Sequence, residues 1–317
     1  DGNFISKDVD HINAYLVSGP NVIVEKRSRP VPGLALMYYG NKPVDGGNLL
    51  LRPSELDGLG LTASQRQQFV HRIYGSEEFV QGKLRYCLWI TDETLMEAQS
   101  VTSIKNRIAA VRQMRMSSRD VSAREMAARA HQFREMNHGE THTIVVPIHT
   151  SETRPYLPVG IIPSGEFVTN ANLAFFDAPV WSIALIASRL HLVWIATVCG
   201  KLETRYRYSN TLGWNTFPVP TLTEKNKADL TRCAEDILLA REHHFPATIA
   251  DLYDPENMPV DLRAAHDRND EVLERIYIGR RFKNDTERLE KLFDLYTKMT
   301  ASAAPAKGKK RKAGANA

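Results

Sequence analysis

Phe217-Pro218-Val219-Pro220 marks the point at which this sequence changes character. On its C-terminal side apolar residues recur at helical spacing over about 223–243, 260–278 and 285–299, and little else precedes the tail. On its N-terminal side short β-branched and aromatic runs alternate with helical stretches. Residues 21–25, 36–39, 48–51, 84–90, 143–147, 156–162, 173–176, 204–208 and 212–217 read as strands. Thr62 caps a helix running toward Ile73, and further helices are expected at about 101–116, 120–135 and 180–198, the last closing at Gly200. The expected fold class is therefore α/β, a mixed α+β domain over 1–220. A mostly helical domain over 221–300 and a disordered basic tail over 301–317 follow it, with the proline link as the boundary.

The chain has 317 residues, 43% of them hydrophobic and 25% charged, which is near the globular average. That composition excludes whole-chain disorder, collagen-like repeats and a disulfide scaffold, and the length accommodates two compact domains. The longest apolar run, 178–199, is interrupted by Ser182, Ser188, Arg189 and His191, so no membrane span is expected. Asp1-Gly2-Asn3 carries neither a Met nor a secretory pattern, and the chain reads as a fragment of a larger protein. Cys87, Cys199 and Cys233 are odd in number and far apart, which fits reduced core thiols in a cytoplasmic protein.

The net charge of +4 conceals a division. Residues 1–220 hold 23 Lys and Arg against 20 Asp and Glu, residues 221–300 hold 13 against 17, and the tail holds 5 against none. The tail, with Lys307-Gly308-Lys309-Lys310-Arg311-Lys312, either aids solubility or attracts phosphate weakly. Between Val101 and Glu135 eight basic residues, seven of them Arg, face only three acids. Seven-residue spacing places Lys105, Arg112 and Arg119 on one side of a helix, with Arg115 nearby. Two readings stand for that face: a solvated helix whose Arg stems cover apolar neighbours, or planar recognition of phosphate.

No strong catalytic signature is present. The sequence has no GxGxxG, no GxxxxGK[ST] and no Cys-x-x-Cys. It also has no Pro-Pro dipeptide, so it lacks the [DNS]-Pro-Pro-aromatic platform on which an amino methyltransferase holds a flipped base. His138-Gly139-Glu140-Thr141-His142, with His149 beyond, misses the zinc-protease spacing because Gly139 displaces the Glu, and it reads as a loop entering a strand.

The chemistry concentrates in Lys201-Leu202-Glu203-Thr204-Arg205-Tyr206-Arg207-Tyr208-Ser209. If extended, Glu203, Arg205 and Arg207 share one face and Thr204, Tyr206 and Tyr208 the other. Arg donates to O6 and N7 of guanine and Glu accepts from N4 of cytosine, so adjacent Glu and Arg suit a C·G pair in the major groove. The alternative is a salt-bridge ladder on an exposed sheet face.

Residues 12–220 resemble the target recognition domain of MmeI-like (type IIL) restriction-modification enzymes. The carrying motifs are Ile12-Asn13-Ala14-Tyr15-Leu16-Val17-Ser18-Gly19-Pro20, Tyr39-Gly40-Asn41-Lys42-Pro43-Val44-Asp45-Gly46-Gly47-Asn48-Leu49, Tyr86-Cys87-Leu88-Trp89, Tyr206-Arg207-Tyr208-Ser209 and Trp214-Asn215-Thr216-Phe217-Pro218. Met258-Pro259-Val260-Asp261-Leu262 with Ala265-His266 resembles the helical C-terminal part of the same enzymes. The resemblance implies base-reading roles for Glu203, Thr204, Arg205 and Arg207, for Asn170 and Ala171 in a second reading segment, and for Glu152. It favours phosphate contacts for Arg112 and Arg115, and Lys105, Arg119 and Lys201 are expected to contact phosphate with them. The implied partners are double-stranded DNA and an upstream adenine-N6 methyltransferase domain, absent from this sequence, which would bind S-adenosylmethionine. A nuclease in the parent protein is left open. This chain alone is expected to bind DNA, hold no cofactor and methylate nothing. Two rivals stay in view: a protein-binding module with Arg-rich docking helices, and a self-contained enzyme.

Overall fold

The structure is a computed structural model that describes residues 8–303. The expected disordered tail therefore lies, beyond its first three residues, outside the described residues. The strands are β1 (Tyr38–Tyr39), β2 (Leu50–Leu51), β3 (Val70–Tyr74), β4 (Tyr86–Leu88), β5 (His142–Pro147), β6 (His149–Ser151), β7 (Gly160–Pro163), β8 (Phe167–Val168), β9 (Asn172–Phe176), β10 (Lys201–Leu202) and β11 (Arg205–Arg207). The helices before the proline link are α1 (Ala63–Phe69), α2 (Ser76–Gln81), α3 (Leu95–Ser100), α4 (Thr102–Met116), α5 (Val121–Glu125), α6 (Trp181–Ile186) and α7 (Arg189–Val198). After it come α8 (Glu224–Glu242), α9 (Ile249–Leu252), α10 (Val260–Ile278) and α11 (Asp285–Ala303). The mixed N-terminal region and the helical C-terminal region are as the sequence predicts. No described helix is long and apolar enough to cross a membrane.

The strands form three sheets among the described residues, ordered β1-β9-β5-β7, β2-β4-β3-β8 and β10-β11-β6. β5 is central to the first, paired antiparallel with β7 and β9. Its residues Thr143 to Pro147 are all buried, as a strand covered on both faces requires. One residue beyond its end the chain continues as β6, which pairs with β11 of the hairpin. The buried sheet thus passes its rigidity directly to an exposed ribbon.

The largest apolar cluster runs from Val17 through Ile144, Phe175, Trp194 and Trp214 to Leu230, Leu273 and Phe293. The helical part therefore has its core in common with the first sheet. A second cluster, with Leu49, Phe69, Leu88 and Phe133, lies under α4 and takes Ile104, Ile108 and Val111 from it. All three cysteines are buried and free, as core thiols.

Several local expectations are corrected. Residues 21–25 form no strand. The Tyr15 hydroxyl oxygen accepts the Val24 N–H and the Tyr296 hydroxyl oxygen the Glu25 N–H, so side chains take the place of a ladder. Thr62 does cap α1, its hydroxyl accepting from the Gln65 N–H, but the chain becomes extended at Val70 and residues 70–74 leave the helix as β3. The single helix expected over 180–198 is two, because the Ser188 hydroxyl caps a fresh start at α7 by accepting from the His191 N–H. Gly200 adopts no left-handed cap; α7 ends at an extended Cys199, and the Gly200 carbonyl accepts from Arg207. Residues 212–217 form no strand although 213–217 are buried: a π-helical turn, Asn210–Trp214, occupies their first half. Their apolar run signalled burial, which periodicity alone cannot convert into strand. The helix expected over 120–135 stops at Glu125 and passes into a 3-10 turn, Met126–Arg129.

Candidate nucleic-acid interface

The segment 201–209 is a β-hairpin, where one extended strand was expected. Leu202 pairs with Arg205, leaving Glu203 and Thr204 as a two-residue turn. Glu203 has φ +55°, in the left-handed region. Two-residue hairpin turns demand such a torsion and ordinarily supply it with Gly, Asn or Asp. Glu203 adopts it without being one of those residues, as Leu16 and Val44 do elsewhere in the chain.

β11 lies between β10 and β6, with Arg205 opposite Ser151, Tyr206 opposite Thr150 and Arg207 opposite His149. Directly opposed residues share a face, so the period of two divides the ribbon. Arg205, Arg207, His149 and Ser151 share one face. Lys201, Tyr206 and Thr150 share the other, where the Lys201 ammonium lies 5.5 Å from the Tyr206 ring centroid and donates to Glu152 Oε2 at 2.7 Å. Arg205 Nη2 donates to Glu203 Oε2 at 2.8 Å. The Arg207 side chain makes no hydrogen bond or ion pair with any described residue.

The hairpin is fixed at its C-terminal end. Tyr208 is buried, its N–H donates to the Ile148 carbonyl at 2.8 Å, and its hydroxyl lies 2.6 Å from His191 Nε2. A Cβ on Gly213 would stand 2.3 Å from the Tyr208 ring, so only glycine lets the turn close beneath it. In Tyr206-Arg207-Tyr208-Ser209, then, Tyr208 is the anchor and Arg207 the projecting group.

Beside the ribbon lies a cleft of about 720 Å³ whose lining includes Lys26, Tyr39, His149, Asn170, Ala171 and Arg207. The two expected reading segments therefore meet at one cleft, and Glu152 stands at the hairpin. Burial, then the guanidiniums of Arg207 and Arg205, hold the His149 imidazole below its ordinary value. His149 and Lys26 were missed from sequence. His149 figured only as the outlier of a histidine cluster, and strand register, which no periodicity reveals, is what sets it against Arg207.

The expected phosphate set divides. Lys105 and Arg112 are exposed on α4, and Arg119 is exposed beyond its end at Met116, so the three do not share a helical face. Arg115 is corrected outright. It is fully buried and donates to the carbonyls of Pro43, Val44, Met126, Arg129 and Gln132 at 2.7–3.1 Å. No phosphate reaches it; it organises the loops that replace the expected second helix. Arg107 is likewise engaged, donating to Glu55 at 2.7 Å and to the Asn48 carbonyl.

The geometry defines an α+β recognition module, sharing its core with a helical bundle and presenting a charged hairpin beside a cationic cleft. The chain belongs to the MmeI target recognition domain family: the family model "MmeI, target recognition domain" matches residues 18–221, and "MmeI, C-terminal domain" matches 222–304. DNA methyltransferase A of Bacillus subtilis (strain 168) is 35% identical over 294 residues, 93% of this chain and 33% of that protein. A solved structure of the Type IIL restriction-modification enzyme MmeI in complex with DNA superposes with a TM-score of 0.86 at 31% identity, covering 95% of this chain and 40% of that one. The chain thus spans between a third and two fifths of the length of these relatives.

Proposed function

We propose that this chain reads base sequence in double-stranded DNA, as the target recognition part of a site-specific adenine-N6 DNA methyltransferase acting in the cytoplasm. One observation carries the reading. The hairpin holds donors and an acceptor exposed beside a cationic cleft, on a ribbon braced by the buried sheet, where a two-stranded ribbon fits the major groove. Glu203 and Arg205 address base edges, Arg207, Asn170 and Ala171 address the neighbouring step from the cleft, and Thr204 sits at the tip. Lys201 and Glu152 are paired with each other on the opposite face of the hairpin. Lys105, Arg112 and Arg119 contact phosphates, which sets register without reading sequence.

The cleft lining holds no acidic side chain to face the sulfonium of S-adenosylmethionine. Lys26 and Arg207 line it, and the sulfonium of that cofactor is itself cationic. The methyl donor and the transfer chemistry belong to a methyltransferase domain outside this chain. Selection of bound duplexes from a randomised pool tests the reading: a defined motif is expected, with affinity falling steeply with salt. Recovery of unrelated sequences would overturn it.

A further inference from the structure

The ribbon holds a second pairing of unlike groups that parallels Glu203 with Arg205. His149 on β6 stands directly opposite Arg207 on β11, so the two side chains rise from the same face, with Cβ atoms about 4.5–5.5 Å apart. The His149 ring makes no hydrogen bond with any described residue, and it lines the same cleft as Asn170, Ala171 and Arg207. An arginine only donates, so Arg207 by itself addresses guanine O6 and N7. A neutral imidazole offers one acceptor and one donor, and can therefore accept from an exocyclic amine of cytosine or adenine.

We propose that His149 is a specificity-determining residue that reads a base edge beside the one read by Arg207, supplying the acceptor that the arginine lacks. This rests on the DNA-reading function proposed above. The surroundings keep the ring in the form the role needs. Its partial burial and the two guanidiniums of Arg207 and Arg205 disfavour protonation. A protonated ring would lose its acceptor and act as a third cation for phosphate, which is the role His149 is not assigned.

Three variants of the full-length protein separate the outcomes: His149→Ala, His149→Gln and the double swap Glu203→Lys with Arg205→Asp. Each is checked for an unchanged melting temperature and used to select duplexes from a randomised pool. His149→Ala is expected to flatten the preference at one motif position by about tenfold, as loss of a base contact does. That position should differ from the one altered by the double swap. His149→Gln, which presents its acceptor and donors from a longer, unlike side chain, should exchange the preference there for another base. A motif unchanged by His149→Ala, whether or not overall affinity falls, overturns the proposal while leaving the reading by Glu203 and Arg205 intact. If the double swap also leaves the motif unchanged, the ribbon does not read DNA at all and both claims fall. If His149→Ala does not fold, His149→Gln decides: the same motif at the same strength overturns the proposal, and a new base at one position supports it.

Discussion

Arg205 reaches back across the hairpin turn to Glu203, its Nη2 2.8 Å from Oε2, and both side chains remain about half exposed or more. In water such a pair contributes between about 0 and 1 kcal/mol. It orders the two groups, yet base edges can displace it at little cost. Glu203→Gln is therefore expected to leave thermal stability within about 0.5 kcal/mol while weakening discrimination at one base position. Parallel thermal melts and competitive duplex titrations check both halves.

Glu203 also occupies a left-handed turn position, φ +55°, that hairpins usually give to glycine. Relief of that torsion in Glu203→Gly is offset by the greater freedom of glycine in the unfolded chain. The variant should be as stable as the parent or up to about 1 kcal/mol more stable, with base discrimination lost at the position Glu203 reads. Chemical denaturation gives the first quantity, and a loss of more than about 1 kcal/mol would contradict the assignment of strain.

Arg112 and Arg115 should behave as opposites although they are three residues apart. Arg112 is exposed on α4, so Arg112→Ala should leave melting unchanged and reduce the slope of log affinity against log salt by about 0.9. Arg115→Lys removes a planar fork from five carbonyls that bury it, and should cost several kcal/mol of stability, on the order of 2–4. Salt-dependent titration and urea unfolding of both variants provide the comparison.

The contrast between those two arginines shows what the sequence contained. Helical period identified α4 and its ends, and charge counting identified its basic character. Neither could tell that Arg115 turns toward the loop 126–132, because that fold-back is tertiary. The same holds for the hairpin. Residue types at 203–207 named the chemistry, but treating them as one strand placed Glu203 on a face, whereas the pairing of Leu202 with Arg205 makes it a turn. Glu152 and Asn170 came from a family resemblance, and strand register alone set Glu152 beside Lys201. The helices after Pro220 were legible because long amphipathic segments carry their period regardless of context. Residues 213–217 were misread because burial without pairing resembles a strand in composition, and residues 21–25 because a short β-branched run carries no information on whether a partner strand lies beside it.

Asp270 gives a pH dependence. Burial first, with Glu274 adding to it, pushes its carboxyl up to about 7, while the Arg189 N–H donates to it at 2.7 Å. Between the unfolded value near 4 and about 7 the folded chain keeps a proton that the unfolded chain has released. Stability from this group therefore falls as pH rises through that window and is flat above it. Asp270→Asn keeps the acceptor for Arg189 and removes the charge. It should exceed the parent in stability at pH 8 by on the order of 1–3 kcal/mol, with the difference shrinking toward pH 4. Urea unfolding at both values checks the sign.

The central claim is that the ribbon reads bases. It is tested most directly by exchanging charge at its tip, Glu203→Lys with Arg205→Asp, in the full-length protein, and sequencing the duplexes that the variant selects. A changed base pair at one motif position, with the remaining positions and the melting temperature preserved, is the predicted result. Selection of the original motif at undiminished strength by the folded variant would contradict it.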